Sequence, residues 1–367
     1  MTQDKVEAVV SNWYPRFLAN GIDWFDLQRT LDGVDGWATW APAWTESADA
    51  YERLGREALA AGHRVTAGEH LRRSALTLQF AQFVLTEDPG LRRALQERMV
   101  RTYGEAAPLL DPPAHRVEIP YGDGRSVVGY LRRPAGDGAP DDLPGVVVLV
   151  PGLESTKEQF STYEPYFLRR GAATLSIEGP GQGEGGFTVP FRDATYAQAM
   201  AAVWAALEAT EHGVDGVNPQ RVVVVGTSFG GYLALRHASV LPGLRGVVDI
   251  AGPYDLRAFD ELQGVTRDGF RDFVGATSDE EALALLSDVS LEGVLDGLPG
   301  PVLVVHGEQD RIIAVSHAHR VAADLGDRAT VRLEPTGNHS CNNLAVVVRP
   351  AVADWVCDML GRPEEAR

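Results

Sequence analysis

The run Val222-Val223-Val224-Val225 ends directly in Gly226-Thr227-Ser228-Phe229-Gly230-Gly231, and a helix-compatible stretch, Tyr232 to Ser239, follows. Four β-branched residues without a polar break read as a strand covered on both faces, as in a parallel sheet. The G-x-S-x-G spacing after it describes a strand–turn–helix unit with a serine on its sharp, strained turn. Glycines at 226 and 230 meet the two demands of that turn: unusual φ/ψ values, and no β-carbon pressing on the following helix. The pentapeptide alone is weak evidence, because glycine and serine are common turn residues. Its place between a buried strand and a helix makes Ser228 a candidate nucleophile.

A serine so placed needs a base, and the base needs an orienting acid. Behind an elbow of this kind the two partners come later in the chain, acid before histidine. Pro301 to Gly307 reads as a buried strand running into a loop, with Glu308-Gln309-Asp310 just beyond. Thr330 to Glu334 alternates as a strand and breaks at Pro335-Thr336-Gly337-Asn338-His339. Asp310 and His339 thus sit after the C-terminal ends of strands, where open α/β sheets carry their sites. Glu308 and Asp255 are the alternative acids. Asp249, inside a strand, reads as a hydrogen-bonded buried residue, and His306, at a strand end, as a packed one.

Attack on a carbonyl also requires two N–H groups aimed at the developing oxyanion. One is expected from Phe229, the residue after the serine. The other is expected from the loop Pro151-Gly152-Leu153-Glu154-Ser155, which follows the apolar run Gly145 to Val150. Leu153 is the first choice there and Gly152 the second, and Glu154 on the same loop is a candidate substrate contact.

The chain has 51 acidic against 33 basic residues, a formal net charge of −18. Such a balance repels nucleic acid and anionic membrane, so neither is an expected partner. Two cysteines, Cys341 and Cys357, give no disulfide framework and fit a reducing, cytoplasmic setting. The N-terminus lacks a signal pattern, and no apolar run approaches membrane-spanning length. No Cys/His ligand cluster is visible, so neither a metal nor another cofactor is expected.

Residues 1–112 read as helical, with apolar stripes at Tyr51, Leu54, Ala58, Ala61 and at Leu71, Ala75, Leu78, Ala81. Thr66 and Glu69 have capping-box spacing at the start of the second stripe. Residues 113–367 alternate strands with helices. Strands are expected at His115–Tyr121, Ser126–Leu131, Val146–Val150, Ala173–Ile177, Arg221–Val225, Gly246–Ile250, Val302–Val305 and Thr330–Leu333. Intervening helices fall near 196–210, 229–240, 315–325 and 346–360. This is an α/β chain with a mostly parallel eight-stranded sheet covered on both faces. A helical insertion near 255–297 is expected to share a lid with the N-terminal domain. Trp13, Trp24, Trp37, Trp40 and Trp44 crowd the first 44 residues. Packing explains most of them, and one or two, such as Trp24, are candidates for an aromatic substrate wall.

With these parts assembled, the chain resembles the branch of the α/β-hydrolase superfamily that holds 2,6-dihydroxypseudooxynicotine hydrolase, fungal chain-shortening hydrolases and esterase-like relatives. The likeness spans nearly the whole length. It rests on the elbow, on Pro151-Gly152-Leu153-Glu154-Ser155-Thr156-Lys157-Glu158, on Glu178-Gly179-Pro180-Gly181-Gln182-Gly183-Glu184, on Gly337-Asn338-His339 with Asn343-Leu344, and on Ala353-Asp354-Trp355. The resemblance implies a Ser228–Asp310–His339 triad, a helical domain closing the site, and a homodimer among the assemblies to expect. It also implies cleavage of a carbon–carbon bond beside a ketone in several members, on aromatic or polyketide-like carbonyl substrates. An additional substrate-contacting carboxylate after the sixth strand is implied too, for which Asp260 and Glu261 are the candidates. Ester, lactone or thioester hydrolysis and a polyketide-tailoring step are the alternative activities. A ligand receptor on a hydrolase scaffold is disfavoured by the intact serine, acid and histidine.

Overall fold

The chain divides into two units, Met1–Arg116 and Val117–Arg367, and the computed structural model describes residues 2–135, 143–241, 243–262 and 264–361. The first unit is helical: α1 (Thr2–Ala19), α2 (Trp24–Asp32), α3 (Trp37–Ala60), α4 (Arg64–Ala81) and α5 (Pro89–Ala106). Its core is aromatic. Phe17 lies 5.3 Å from Trp44 and 4.8 Å from Phe80, ring centre to ring centre. The Trp40 indole N–H donates to the Phe80 carbonyl at 2.9 Å. Trp13, Trp37, Trp40 and Trp44 are all buried in this unit, whereas Trp24 on α2 is half exposed and packs edge-on against Phe25.

The α4 stripe of Leu71, Ala75, Leu78 and Ala81 is fully buried. Two other helical expectations fail for identifiable reasons. On α3 the buried face runs through Trp37, Trp40, Ala41, Trp44, Ala48 and Gly55, while Leu54 is exposed. Contact with α4 passes through Gly55, where a Cβ would sit 2.8 Å from the Leu71 side chain, so the closest approach carries no hydrophobic signal. The Thr66/Glu69 capping box does not form either, because the N-cap of α4 falls three residues earlier, at His63. At the end of α3 the Gly62 N–H bonds the Leu59 carbonyl and the His63 N–H bonds Ala58, with Gly62 at φ +80. That Schellman turn sets where the chain re-enters a helix, and Thr66 is left inside the first turn.

The second unit is built on one eight-stranded sheet. In chain order it runs β1 (Ala114–Gly122), β2 (Arg125–Arg132), β3 (Gly145–Val150), α6 (Glu164–Leu168), β4 (Ala173–Glu178), α7 (Gly183–Gly186) and α8 (Asp193–Ala209). It continues with β5 (Asn218–Thr227), α9 (Phe229–His237), β6 (Leu244–Ile250), α10 (Gly264–Val274), α11 (Asp279–Leu286), β7 (Val302–Gly307), α12 (Ser316–Leu325), β8 (Ala329–Glu334) and α13 (Ala345–Leu360). The strand order is β1-β2-β4-β3-β5-β6-β7-β8. β2 pairs with β4 antiparallel, and every pairing from β4 through β3 to β8 is parallel. Asp123 and Gly124, both at positive φ (52 and 70), close the opening hairpin as a two-residue turn.

Alternate residues of each central strand feed opposite faces, as the two-residue period of a strand requires. Val146, Val148, Val222, Val224, Val247 and Val304 join the core under α8, α9, α10 and α12. Val147, Leu149, Val223, Val225, Val248 and Val305 join the core under α6 and α13. Burial on both faces is why these strands are unbroken apolar runs. The sheet of parallel strands then directs the β3, β4, β5, β6, β7 and β8 exits to one edge, and the loops there hold the candidate site. Among the described residues no helix is long and apolar enough to cross a membrane.

The packing demand that bears on the site lies where β5 turns into α9. A Cβ on Gly226 would sit 2.0 Å from the Gly230 carbonyl oxygen, and one on Gly230 would sit 2.2 Å from the Val150 oxygen. Both neighbours are backbone, which cannot rotate away. Gly230→Ala is therefore expected to destabilise by at least the upper end of the overpacking range, about 3 kcal/mol. Gly264→Ala, where an added Cβ meets nothing within 4 Å, serves as the control. Urea unfolding of both variants checks this, and a Gly230→Ala midpoint equal to the parent's overturns it.

Candidate active site

Ser228 occupies the junction between β5 and α9 with φ 58 and ψ −131. A non-glycine residue in this region costs roughly 1–3 kcal/mol and persists only where its surroundings leave no alternative. Here the Ser228 N–H donates to the Ile250 carbonyl at 2.7 Å, and its own carbonyl accepts from the Gly231 N–H at 2.7 Å. The strained turn lifts the hydroxyl off the strand end.

The Ser228 Oγ lies 2.8 Å from His339 Nε2, and His339 Nδ1 lies 2.7 Å from Asp310 Oδ2. Asp310 is held in turn by its other oxygen, which accepts the Ile312 and Ile313 N–H groups at 2.8 and 2.9 Å. Burial pushes the Asp310 carboxyl up, but the facing His339, its hydrogen bond, His306 and the Ile313 N–H outweigh burial and hold it below the ordinary carboxylate value. The alternative acids face elsewhere. Glu308 is exposed, and Asp255 is committed to Arg320 at 2.8 Å and to the Arg257 N–H at 3.2 Å. His306 is fully buried, with its Nε2 2.9 Å from the Ile313 carbonyl oxygen and 3.4 Å from Asp310 Oδ2. Burial lowers its pKa, against the pull of Asp310 and the Ile313 carbonyl. Asp249 gives one oxygen to the Gly252 N–H at 2.8 Å.

The loops carrying acid and histidine are laced together by backbone bonds. Glu308 N–H donates to the Glu334 carbonyl at 2.9 Å and Gln309 N–H to the Gly337 carbonyl at 3.0 Å. The histidine loop is closed on itself by a reciprocal pair: Asn338 N–H to Asn343 Oδ1 at 2.9 Å and Asn343 N–H to Asn338 Oδ1 at 3.2 Å. The Asn342 amide donates to the His339 carbonyl at 2.9 Å. The Gly337-Asn338-His339 and Asn343 pattern thus has a local reason, which is to shape the turn that presents the imidazole.

The β3 exit loop lies against the serine. A Cβ on Gly152 would meet the Ser228 Cβ at 2.9 Å and its Oγ at 3.3 Å. Phe229 N–H belongs to the unpaired first turn of α9, a ready anion donor. Among the described residues neither it nor the Leu153 N–H is matched to a protein acceptor. α10, from the 255–297 insertion, comes down on this loop, with a built Cβ at Gly269 lying 2.6 Å from Glu154 Oε1 and 3.2 Å from Leu153 Cδ2. The Phe229 ring packs edge-on to Phe270 and Phe273 of the same helix at 5.4 and 5.2 Å. Glu154 is therefore a carboxylate beside the serine loop. Asp260 and Glu261 lie on an exposed 3-10 turn, and the buried residue there is Phe259. Trp24 belongs to the first unit.

One feature behind the site has no separate reading in the sequence. The Lys157 ammonium is completely buried and meets Glu158 at 2.7 Å, Glu178 at 3.1 Å and Glu184 at 2.6 Å. Burial alone would strip its proton; the three carboxylates more than offset that and keep it charged. Burial also raises the Glu178 carboxyl, against the pull of Lys157. The cluster draws on both resemblance-bearing segments, 151–158 and 178–184, and ties the β3 exit to the β4 exit.

With that geometry in place, comparison with known proteins becomes informative. Residues 26–253 match the family model described as esterase FrsA-like. The chain belongs to the FrsA-like esterase family. This FrsA-like chain also matches the prolyl oligopeptidase family over residues 158–362. It is 32% identical over 361 residues to 2,6-dihydropseudooxynicotine hydrolase of Paenarthrobacter nicotinovorans, an alignment taking in 98% of this chain and 94% of the relative. Hydrolase acrC of Aspergillus aculeatus is 33% identical over 236 residues, 59% of this chain and 54% of that one. The crystal structure of the 2,6-dihydroxy-pseudo-oxynicotine hydrolase superposes with a TM-score of 0.85 at 31% identity, covering 95% of both chains. The FrsA-like chain is a hydrolase on the α/β-hydrolase fold.

Two outcomes are expected. Lys157→Met leaves the buried Glu158 and Glu178 and the part-buried Glu184 without their cation, and unfolding in guanidinium should register a loss of about 3–5 kcal/mol; an unchanged midpoint overturns this. Asp310 has a depressed folded pKa, so its contribution to stability is complete above its ordinary value of 3.8 and is lost as pH falls through the folded value. The Asp310→Asn variant should therefore show a flatter loss of stability below that pH than the parent. Parallel stability–pH curves would contradict the assignment.

Proposed function

We propose that this FrsA-like hydrolase uses Ser228 as a nucleophile on a substrate carbonyl and cleaves a carbon–carbon bond beside a ketone through an acyl-enzyme. The observation that carries the reading is the imidazole of His339, within hydrogen-bond reach of Ser228 Oγ on one side and Asp310 on the other. That is the relay a weak hydroxyl nucleophile needs. An alignment at 32% identity over 98% of the chain with a 2,6-dihydropseudooxynicotine hydrolase supports an aromatic ketone as the substrate class.

In this mechanism His339 takes the Ser228 proton while Oγ bonds to the carbonyl carbon. Asp310 stabilises the imidazolium, and the N–H groups of Phe229 and Leu153 receive the oxyanion. The adduct collapses by breaking the carbon–carbon bond. The departing carbon leaves as a stabilised carbanion, an enolate or an electron-rich ring, and takes its proton from His339. A water molecule, deprotonated by His339, then attacks the acyl-enzyme, and the serine regains its proton as the acid product leaves. Glu154 is the carboxylate best placed to contact substrate, on the loop that also carries Leu153. Ester cleavage by the same residues is the second reading, favoured by the FrsA-like esterase match.

Ser228→Ala should reduce kcat by at least about 10⁴-fold while leaving the circular dichroism spectrum and thermal midpoint in place. Intact-mass detection across aryl ketones, β-diketones, lactones and activated esters should reveal a covalent increment equal to the acyl half of the turned-over substrate, absent in Ser228→Ala. Full activity in that variant sinks the serine mechanism. Rapid turnover of simple esters with inert ketones moves the assignment to the esterase reading.

A further inference from the structure

The loop Glu178-Gly179-Pro180-Gly181-Gln182-Gly183-Glu184 has no hydrogen bond to Ser228 or His339, yet it grips the β3 exit loop at both ends. At one end the Gln182 Nε2 donates to the Pro151 carbonyl at 2.5 Å. At the other, Glu178 Oε1 accepts the Lys157 backbone N–H at 2.9 Å, and Glu178 and Glu184 together hold the Lys157 ammonium. The residues between these two anchors, 152 to 156, include the Leu153 N–H.

Gln182 is completely buried and its amide has one orientation. Its oxygen accepts two donors, the Gly179 N–H at 3.0 Å and the Tyr196 hydroxyl at 3.1 Å, so its nitrogen is left facing the Pro151 carbonyl. That carbonyl is confined on its other side, where a Cβ on Gly230 would lie 2.6 Å from it. A peptide unit is planar and trans, so holding the Pro151 C=O also sets the direction of the Gly152 N–H and the placement of the Gly152 Cα. The next amide is that of Leu153. An N–H that is aimed before substrate arrives stabilises the oxyanion without reorganising during the reaction.

We propose that Gln182 is a positioning residue for the oxyanion hole, acting through the Pro151 carbonyl to hold the 152–153 backbone toward Ser228, with the 178–184 loop as its frame. The inference rests on Leu153 or Gly152 donating to the oxyanion. A residue that only fills the core would change stability and would affect substrate and transition-state binding alike. A positioning residue acts on the tetrahedral state alone.

The test uses Gln182→Met, which keeps the length and volume and removes both hydrogen-bonding ends, and a trifluoromethyl ketone that forms a tetrahedral adduct with the serine. Expected are a 10- to 100-fold fall in kcat with KM within about threefold of the parent, and a fall in ketone affinity by the same factor as kcat/KM. A folded Gln182→Met variant with unchanged kcat, or with substrate and trifluoromethyl ketone weakened equally, overturns the proposal. Should Gln182→Met fail to fold, Tyr196→Phe removes one of the two donors that orient the amide. It should weaken the trifluoromethyl ketone severalfold at constant KM, and unchanged affinity counts against the role. The parent enzyme separates the two layers of inference: failure of the ketone to form an adduct on Ser228 there refutes the serine reading itself, whatever Gln182 does.

Discussion

The approach of Gly226 to Gly230, backbone against backbone with no room for a β-carbon, is the contact on which the site is built. It brings the end of β5 and the start of α9 so close that Ser228 between them has no relaxed conformation available. The serine is held at φ 58 because the sheet on one side and the helix on the other are each buried in a large apolar core. Strain at one residue is small beside the burial of the Val222–Val225 run and of Phe229, Tyr232, Leu233 and Leu235. Core packing thus sustains a local conformation that the chain would not adopt alone, and the placement of the hydroxyl against His339 is its product.

What was legible in the sequence followed from this same economy of burial. Strands covered on both faces must be apolar throughout, so β3, β5 and β7 stand out as unbroken runs, and the loops after them are where polar chemistry is possible. The elbow, Asp310 and His339 could be read that way. Features that depend on an absence of side chain could not: the α3–α4 contact runs through Gly55, and the apolar stripe at Tyr51, Leu54, Ala58 and Ala61 pointed to the wrong face. Turn geometry also overrode local pattern, as the Schellman turn at Gly62 did to the Thr66/Glu69 box. The contacts of Gln182 and Lys157 were illegible for a different reason. Each bonds across to a loop some twenty to thirty residues away in sequence, and no local rule pairs them. The surroundings of the serine loop were the least readable, since α10 reaches Leu153 and Glu154 only through tertiary packing.

The buried lysine cluster illustrates how such a brace works. Replacing buried ions by apolar groups of the same shape often leaves stability unchanged or improved, so the cluster is poor evidence of a stability device. Its worth lies in direction. A hydrocarbon contact between the β3 and β4 exits would tolerate sliding by an ångström. A lysine that meets three carboxylates, one of which also accepts backbone N–H groups of Lys157 and Glu184, tolerates much less. Register between two loops is the property an oxyanion site needs, and charged hydrogen bonds supply it where apolar packing does not.

The lacing of the acid and histidine loops through Glu308–Glu334 and Gln309–Gly337 has a mechanical consequence. Asp310 and His339 ride on neighbouring strands of one sheet edge, tied by main-chain bonds, whereas Ser228 rides on β5, with β6 between it and β7. The three residues therefore fall into two groups, Ser228 on β5 and the laced pair Asp310 and His339. Main-chain bonds join them through β6, and the side-chain contact that joins them directly is the Ser228–His339 hydrogen bond. In the proposed mechanism the proton crosses that contact, so any change in the spacing of β5 and β7 would be felt there first.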